Sequence, residues 1–327
     1  MSGFIRAFHE SGILIGAVNL PASKSESNRV LIINALSGNK SKLHNLSSAH
    51  DTVLMQQLLA SAAPKINTED AGTVMRFLTA YFTITNQQKT LTGSARMQER
   101  PIGLLVEALR EIGADIEFKG HEGYPPLQIN GIDLSWPAQE VSVSGQISSQ
   151  FISALLLVAP LLPDGLKIQI LPPVLSWPYI HMTTQIMQHF GAKINTTENT
   201  IAVSPAPYSP ADFTVEADWS AAGYWFAMAA MATKASVTLQ NLRAGSLQPD
   251  SIVVEIIKRW GVETEFAADG ILIKKNAVAR PPDYLTLDFS ACPDLAQTIL
   301  VLSAATGVKL KLTGLESLRI KETDRIA

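Results

Sequence analysis

The sequence contains little cysteine and little charge. Cys292 is the only cysteine in 327 residues, which excludes an internal disulfide framework and a cysteine-rich zinc site. Charged residues make up 17% of the chain and the formal net charge is -3, so composition gives no general attraction to nucleic acid. The six histidines show no HExxH or similar spacing, and we predict neither a metal nor a cofactor.

Long hydrophobic runs are also missing. The longest, residues 151–162, is interrupted by Ser153 and Pro160 and is too short to span a bilayer, so it predicts a buried helix. The first residues, MSGFIRAFHESG, show no apolar stretch with a cleavage site. We therefore expect a cytoplasmic protein that does not bind membranes.

The sequence contains a repeated unit of helices and strands. Each copy begins with an apolar helix and continues with a strand, an amphipathic helix and two more strands. The first helices are predicted to begin near Asn28, Gly72, Ser149, Ala222 and Asp294. Three second helices end in similar text, EALREIGADIEF, TQIMQHFGAKIN and VEIIKRWGVETEF, which predicts left-handed caps at Gly113, Gly191 and Gly261.

Chain length allows roughly two domains. No long Ser, Gly or Pro linker separates them, and the segment VEADWS, residues 215–220, is the predicted crossover. The last residues, KETDRIA at 321–327, are interpreted as the first turns of the second helix in a fifth unit. We therefore expect the fifth unit to be incomplete and a sixth to be missing.

Two segments combine basic residues with the start of a predicted helix. In PASKSESNR, residues 21–29, Lys24, Ser25 and Arg29 surround a start that Ser25 or Ser27 would cap, where free backbone N–H groups favour an anion. The alternative is an ordinary cap with two solvated cations. In RIKETDR, residues 319–325, a solvated charged helix start is likewise the alternative to a functional cluster.

Two further segments combine glycine and arginine. Gly72 in DAGTVMR, residues 70–76, would let a ligand approach the backbone closely. Arg100 in LTGSARMQERP, residues 91–101, precedes Pro101 and suits bidentate binding of a carboxylate or phosphate. A common helix-start glycine and a solvated loop arginine are the alternatives.

Neutral and acidic groups complete the candidates. Ser148, Ser149 and Gln150 open a very apolar helix; one serine caps it, and the three groups together suit a phosphorylated, polyhydroxylated ligand. The segment SWPY, residues 176–179, also precedes a helix. Asp294 in CPDLAQT is placed at or near an N-cap, and a purely structural cap is its alternative reading.

The order and text of these segments resemble the enolpyruvyl transferase family, in the branch that acts on shikimate 3-phosphate. PASKSESNR, DAGTVMR, LTGSARMQERPIG, SSQF, SWPYI, CPD and KETDR follow in the family's order and extend along the whole chain. The resemblance implies an α/β fold, a two-globule inside-out α/β barrel built from repeated βαβαββ units. The first globule would be residues 21–215 with three repeat units. The second would be residues 1–20 plus 216–327, incomplete and lacking the final repeat.

The resemblance also implies the reaction. The enolpyruvyl group of phosphoenolpyruvate would pass to the 5-hydroxyl of shikimate 3-phosphate with release of phosphate, on the route to chorismate and aromatic amino acids. These two small molecules would be the partners, with no cofactor, nucleic acid or membrane, and the protein would be a monomer.

Site roles follow by matching the family's motifs residue by residue. Lys24 would contact both substrates and help proton transfer, Asp294 would contact shikimate 3-phosphate and take the proton of its 5-hydroxyl, and Glu322 would help move the proton at the methylene carbon. Shikimate 3-phosphate would also be bound by Ser25, Arg29, Ser148, Ser149, Gln150, Ser176, Tyr179 and Lys321. Phosphoenolpyruvate would be bordered by Gly72, Arg100, Gln150 and Arg325. These residue types fit the reaction. Joining two anions requires cations, and adding an alcohol to an enol ether requires a base and an acid.

Two alternatives stay open. A transferase that acts on UDP-N-acetylglucosamine would carry a reactive cysteine in a mobile loop, whereas Cys292 lies beside the Asp294 motif. An inactive or binding-only fragment is favoured by the missing His-Arg pair and late lysine of the family, so the chain as given is expected to be inactive or nearly so. Ala22, Asp70, Trp177 and Ser317 depart from the family's commoner residues, which bears on affinity more than on reaction type.

Overall fold

The structure, a computed structural model, describes residues 11–135, 137–146, 148–275 and 281–327. The chain separates into two compact units. We call Ala22–Glu216 with Gly314–Ala327 the large unit, and residues up to Pro21 with Ala217–Thr313 the small unit. Residues 314–327 belong to the large unit, although they are predicted above to lie in the second globule. The predicted domain boundaries stay a prediction.

Helices and strands alternate along the described chain. The helices are α1 (Lys24–Leu36), α2 (His50–Leu59), α3 (Gly72–Ile84), α4 (Ala95–Gln98), α5 (Gly103–Glu111), α6 (Ser149–Val158), α7 (Trp177–His189), α8 (Trp219–Met231), α9 (Val253–Ile257) and α10 (Ala296–Thr306). Short 3₁₀ helices cover Ala159–Leu161, Pro249–Ile252, Lys258–Trp260, Pro293–Leu295 and Glu316–Ile320.

The strands of the first half are β1 (Ile13–Asn19), β2 (Leu43–His44), β3 (Lys65–Asn67), β4 (Lys89–Thr92), β5 (Ala114–Phe118), β6 (Leu127–Ile132), β7 (Glu140–Ser144) and β8 (Leu166–Leu171). Those of the second half are β9 (Ile194–Thr196), β10 (Thr200–Val203), β11 (Phe213–Thr214), β12 (Lys234–Gln240), β13 (Val262–Ala267), β14 (Gly270–Lys275), β15 (Tyr284–Asp288) and β16 (Lys309–Thr313).

One sheet topology recurs in both units. The large unit contains the four-stranded sheets β3-β4-β6-β5 and β7-β8-β10-β9, and the small unit contains β1-β12-β14-β13. In each, the first pair is parallel and the other pairs are antiparallel. A parallel pair needs a long crossover, which α3 and α6 supply between their flanking strands. The recurring order confirms the repeated βαβαββ unit.

The apolar first helices form the core of the large unit. Nearly every residue of α3 and α6 is buried, as expected for a helix that is apolar on all sides. Strands such as β5 and β7 alternate between buried and exposed residues, so one face of each sheet is exposed. Helices inside and sheets outside are the inside-out arrangement that the sequence predicted.

The glycines after three second helices are in the left-handed region. The backbone angle φ is 101° at Gly113, 88° at Gly191 and 77° at Gly261, which favours glycine because a Cβ is strained there. The three predicted caps are therefore confirmed.

Two local predictions are wrong. Ser23 caps α1, with its Oγ accepting from the backbone N–H of Glu26 at 3.3 Å, because the backbone N–H of Ser23 donates to Glu216 O and holds Ser23 outside the helix. Residues 321–327 form bends, not a helix. There the Asp324 carboxylate accepts from the backbone N–H groups of Ile326 and Ala327, two and three residues on. This is the pattern of a helix N-cap, so a helix would begin after Asp324 and not at Lys321.

Candidate active site

The start of α3 lies against a buried guanidinium. Arg100 is 5% exposed, and its Nη1 donates to the backbone oxygen of Asp70 at 3.0 Å. A Cβ built on Gly72 would lie 2.9 Å from the Arg100 Cζ, so any larger residue would require the guanidinium to shift. The N-cap, Ala71, makes no side-chain cap bond, and the helix start and the arginine together suit an anion.

A second arginine is buried beside the first. Arg76, on the next turn of α3, is 3% exposed. Its Nη2 donates to Pro101 O at 2.8 Å and its Nη1 to Gly72 O at 3.3 Å. Burial, followed by the positive charge of Arg100, lowers the pKa of Arg76 to about 9. Burial also lowers the pKa of Arg100, and the charge of Glu322 partly offsets that effect.

Glu322 adds a carboxylate to this group of cations. Its Oε2 accepts from Arg325 Nη2 at 2.9 Å. Burial by itself would raise the pKa of Glu322, but hydrogen bonds from its own backbone N–H and from Arg325, with the charges of Arg325 and Arg100, leave the pKa below its ordinary value. The side chain is therefore a carboxylate at neutral pH and suits the role of a base.

Arg96 holds the segment that carries Glu322. Its Nη2 donates to the backbone oxygens of Arg319 and Lys321, both at 3.2 Å, and its Nε donates to Lys321 O at 3.3 Å. Its Nη1 also forms an ion pair with Glu99 at 3.2 Å. The predicted substrate residues Lys321 and Arg325 are thereby placed on a segment anchored to the chain near Arg100.

The start of α1 carries Lys24 and Ser25. The Lys24 Nζ forms an ion pair with Asp51 Oδ2 at 3.3 Å, and the charge of Asp51 also acts on Arg100. Ser25 is half-buried, and its backbone oxygen accepts from Arg29 Nη1 at 2.8 Å. Asp51 thus links Lys24 electrostatically to Arg100, which lies against the start of α3.

Arg29 is a buried crosslink between α1, α6 and α7. Its Nε donates to Thr183 Oγ1 at 2.7 Å, and its Nη2 donates to Ser153 Oγ at 3.4 Å and to Tyr179 O at 3.3 Å. Burial lowers the pKa of Arg29 to about 10. The structure therefore gives Arg29 a role in packing beside its predicted role in binding.

The start of α6 is built as the sequence predicts. Ser148 is the N-cap and accepts from the backbone N–H of Gln150 at 3.2 Å. The Gln150 Nε2 donates to Thr73 Oγ1 at 3.2 Å, which links the start of α6 to that of α3. Ser149 is buried in the first turn.

Ser176 precedes α7 with a strained backbone. Its φ is 57° and ψ is 35°, and its side chain makes no cap bond. A left-handed serine costs about 1–2 kcal/mol, and such outliers gather at ligand sites. Tyr179 follows in the first turn of α7.

Asp294 and Cys292 lie in the small unit. Asp294 is in the 3₁₀ helix Pro293–Leu295, whose N-cap is Cys292, while Leu295 is the N-cap of α10. Asp294 therefore lies one residue before the N-cap of α10, which agrees with the predicted place at or near an N-cap. Burial, with the charges of Asp250, Asp288 and Asp294, raises the pKa of the Cys292 thiol to about 12.

The large unit thus brings together most of the predicted site residues. Gly72, Arg100, Gln150, Glu322, Arg325 and Lys24 are connected through the start of α3 and its charged neighbours, and Ser25, Arg29 and Tyr179 through the Arg29 crosslink. Sequence reasoning missed Arg76, Arg96 and Asp51, although DAGTVMR contains Arg76 and LTGSARMQERP contains Arg96. Within the described ranges, no group of three or more His, Cys, Asp or Glu side chains could hold a metal ion. No helix there is long and apolar enough to cross a bilayer.

The fold and the site define an inside-out α/β protein in which the start of α3 lies against the buried guanidinium of Arg100. The model of the EPSP synthase (3-phosphoshikimate 1-carboxyvinyltransferase) family matches residues 9–66 and 54–327. The 3-phosphoshikimate 1-carboxyvinyltransferase of Bacteroides fragilis strain YCH46 is 47% identical over 310 residues, 94% of this chain and 75% of that protein. That of Aliivibrio fischeri strain MJ11 is 35% identical over 341 residues, 95% of this chain and 78% of that protein.

Solved structures agree at the level of the fold. An EPSP synthase structure from Acinetobacter baumannii superposes with a TM-score of 0.71 at 21% identity, covering 95% of this chain and 76% of that chain. The chain belongs to the EPSP synthase family.

Proposed function

We propose that this protein transfers the enolpyruvyl group of phosphoenolpyruvate to the 5-hydroxyl of shikimate 3-phosphate and releases phosphate. The observation that carries the proposal is the group of Arg100, Arg325 and Glu322 at the start of α3, in a chain of the EPSP synthase family. It provides cations for an anion and a carboxylate for proton transfer in one place.

Phosphoenolpyruvate binds at the start of α3. Arg100, Arg325 and the free N–H groups after Gly72 offset its negative charge, and the amide of Gln150 supplies a neutral hydrogen bond. Shikimate 3-phosphate binds to Ser25, Arg29, Ser148, Ser149, Gln150, Ser176, Tyr179 and Lys321, a set of cations and hydroxyls suited to a phosphorylated polyol. Lys24 contacts both substrates.

The chemistry is an addition followed by an elimination. The 5-hydroxyl oxygen forms a bond to C2 of phosphoenolpyruvate, its proton passes to Asp294, and the methylene carbon gains a proton through Lys24. The Glu322 carboxylate then removes a proton from the methyl group as the bond from C2 to the phosphate oxygen breaks. The role of Asp294, which lies in the small unit, rests on the matching motif alone.

The test is a phosphate-release assay with the full chain, and it also decides the expectation that the chain as given is inactive or nearly so. Phosphate should be released from phosphoenolpyruvate only when shikimate 3-phosphate is present. Release with UDP-N-acetylglucosamine and none with shikimate 3-phosphate would support the sister transferase instead. Binding of shikimate 3-phosphate without any release would support a binding-only protein.

We also place the reaction in the cytoplasm and expect a monomer. Fractionation of cells and analytical ultracentrifugation of the purified protein would test these two predictions separately.

A further inference from the structure

Arg76 occupies an unfavourable position that the proposed chemistry does not use. It is a buried cation in the second turn of α3, where the helix dipole disfavours positive charge, and Arg100 is buried beside it. Within the described ranges, the Nε atoms of both side chains lack a hydrogen-bond partner. Two neighbouring buried guanidinium groups repel each other, so their joint burial needs a compensating negative charge.

The contacts of Arg76 reach one predicted substrate residue, Gly72, and the chain neighbours of two others, Arg100 and Gln150. Its guanidinium donates to the backbone oxygen of Gly72 and to that of Pro101, the residue after Arg100. Its Cζ also lies 5.9 Å from the centre of the Phe151 ring, and Phe151 follows Gln150. A planar fork of donors suits this task, and the single ammonium of a lysine cannot reproduce it.

We propose that Arg76 is a positioning residue for the phosphoenolpyruvate subsite: it fixes the backbone beside Gly72 and Arg100, and its charge strengthens the attraction of that subsite for an anion. This inference rests on the proposed function for the identity of the anion. In the described residues, Glu322 is the negative charge that acts on both arginines, and the substrate's own negative charge adds to it when phosphoenolpyruvate binds.

The test compares Arg76→Lys and Arg76→Gln with variants of Arg110, an exposed arginine that makes similar backbone and ring contacts and also pairs with Glu122 at 3.6 Å. Arg110 also donates to a backbone oxygen, that of Ile116, through Nε and Nη2 at 3.0 and 2.6 Å, and lies 5.1 Å from the Phe118 ring centre. It lies at the other end of a different helix, α5. Arg110→Lys and Arg110→Gln therefore control for the loss of a structural arginine.

The expected result is a change specific to phosphoenolpyruvate. Arg76→Lys should raise KM for phosphoenolpyruvate about 10-fold and Arg76→Gln about 10²-fold, since misplacement near reacting groups commonly has effects of this size. The Kd of shikimate 3-phosphate should stay close to that of the Arg110 variants, whereas the Tm should fall further in the Arg76 variants, because Arg76 is buried and Arg110 is exposed. An unchanged KM in both Arg76 variants, or an equal loss of affinity for both substrates, would overturn the inference.

Calorimetric titration with phosphoenolpyruvate itself separates this inference from the proposed function. If the wild-type protein releases no phosphate, the proposed function is wrong, and the inference is then decided by binding. Weaker binding of phosphoenolpyruvate to Arg76→Gln than to Arg110→Gln supports it. Equal binding to the two variants, or no binding even to wild type, refutes it.

Discussion

At position 72, a side chain of any size would meet the guanidinium of Arg100. The Arg100 side chain is buried and bonded to Asp70 O, so it has little freedom to move aside. Glycine therefore has a packing reason here as well as the advantage of letting a ligand approach the backbone. Glycine at position 72 thus meets the packing requirement of the core and the space requirement of the proposed anion site.

Asp294 and Glu322 are the residues on which the proposed chemistry depends most. Asp294→Ala and Glu322→Ala should each lower kcat by at least about 10²-fold, the usual scale for a positioned acid or base. Shikimate 3-phosphate should still bind, because Arg29 and the serines remain. Steady-state kinetics with calorimetry of shikimate 3-phosphate binding measure both effects.

Glu265→Ala is the matched control for these two variants. Glu265 is an exposed carboxylate paired with Lys274 at 2.7 Å, and an exposed pair contributes little to stability. Its loss should leave kcat unchanged. A near-normal kcat in both Asp294→Ala and Glu322→Ala would mean that these carboxylates have structural roles only.

Cys292 should be chemically inert in the folded protein. Cys292 is 4% exposed, and burial raises the pKa of its thiol to about 12, so little reactive thiolate exists at neutral pH. Alkylation by iodoacetamide at pH 7.5 should be at least about 10²-fold slower in native protein than in guanidinium chloride. Comparable rates in the two conditions would restore the alternative of a transferase with a reactive cysteine.

At the scale of elements, a helix and its glycine cap act as one part of the repeat. Gly113 follows α5 with φ at 101°, and a Cβ there would collide with the backbone oxygen of Asp133. Gly113→Ala should therefore lower the free energy of unfolding by about 3 kcal/mol or more, since the left-handed strain of about 1–2 kcal/mol adds to the clash. Urea titration measures the change.

Gly38 provides the control in the same unit. It follows α1 with φ at 79°, and a Cβ there would meet only Lys40 Cε at 3.8 Å. Gly38→Ala should cost about 1 kcal/mol from the backbone alone. If the two variants cost the same, the close approach of Asp133 to Gly113 does not contribute to stability.

At the scale of the whole molecule, residues 21–215 contain a closed set of elements. The pair β2–β11 and the sheets β3-β4-β6-β5 and β7-β8-β10-β9 are formed within this segment, as are the buried helices α1, α3 and α6. In the part of the chain that the structure describes, no strand of these sheets comes from outside this segment.

The segment 21–215 should therefore fold as a separate polypeptide. We expect one cooperative thermal transition by circular dichroism and weak binding of shikimate 3-phosphate. The shorter segment 21–135 lacks the third repeat, leaves the apolar face of α3 uncovered, and should not unfold cooperatively. A non-cooperative transition in 21–215 would contradict its assignment as a domain.

Much of the fold of this protein could be predicted from its sequence, because the sequence patterns that indicate helices, strands and turns are local. The alternation of apolar residues, the glycines after the second helices and the family's motif text predicted the repeat, the inside-out fold and the family. The positions of Gly113, Gly191 and Gly261 followed from backbone sterics, which act within a few residues. The residue roles carried over from the motifs stay predictions.

Only the tertiary structure decided features that depend on distant segments. Ser23 caps α1 because Glu216, far along the chain, binds its backbone. Arg96 donates to the backbone oxygens of Arg319 and Lys321, far along the chain, and so fixes the segment that carries Glu322. An arginine on a helix is usually solvated. Pro101 and Phe151 pack around Arg76, however, and it is buried beside Arg100. The burial of a single charged side chain and its interaction with distant charges arise only when the repeats pack together, so no local pattern of residues predicts them.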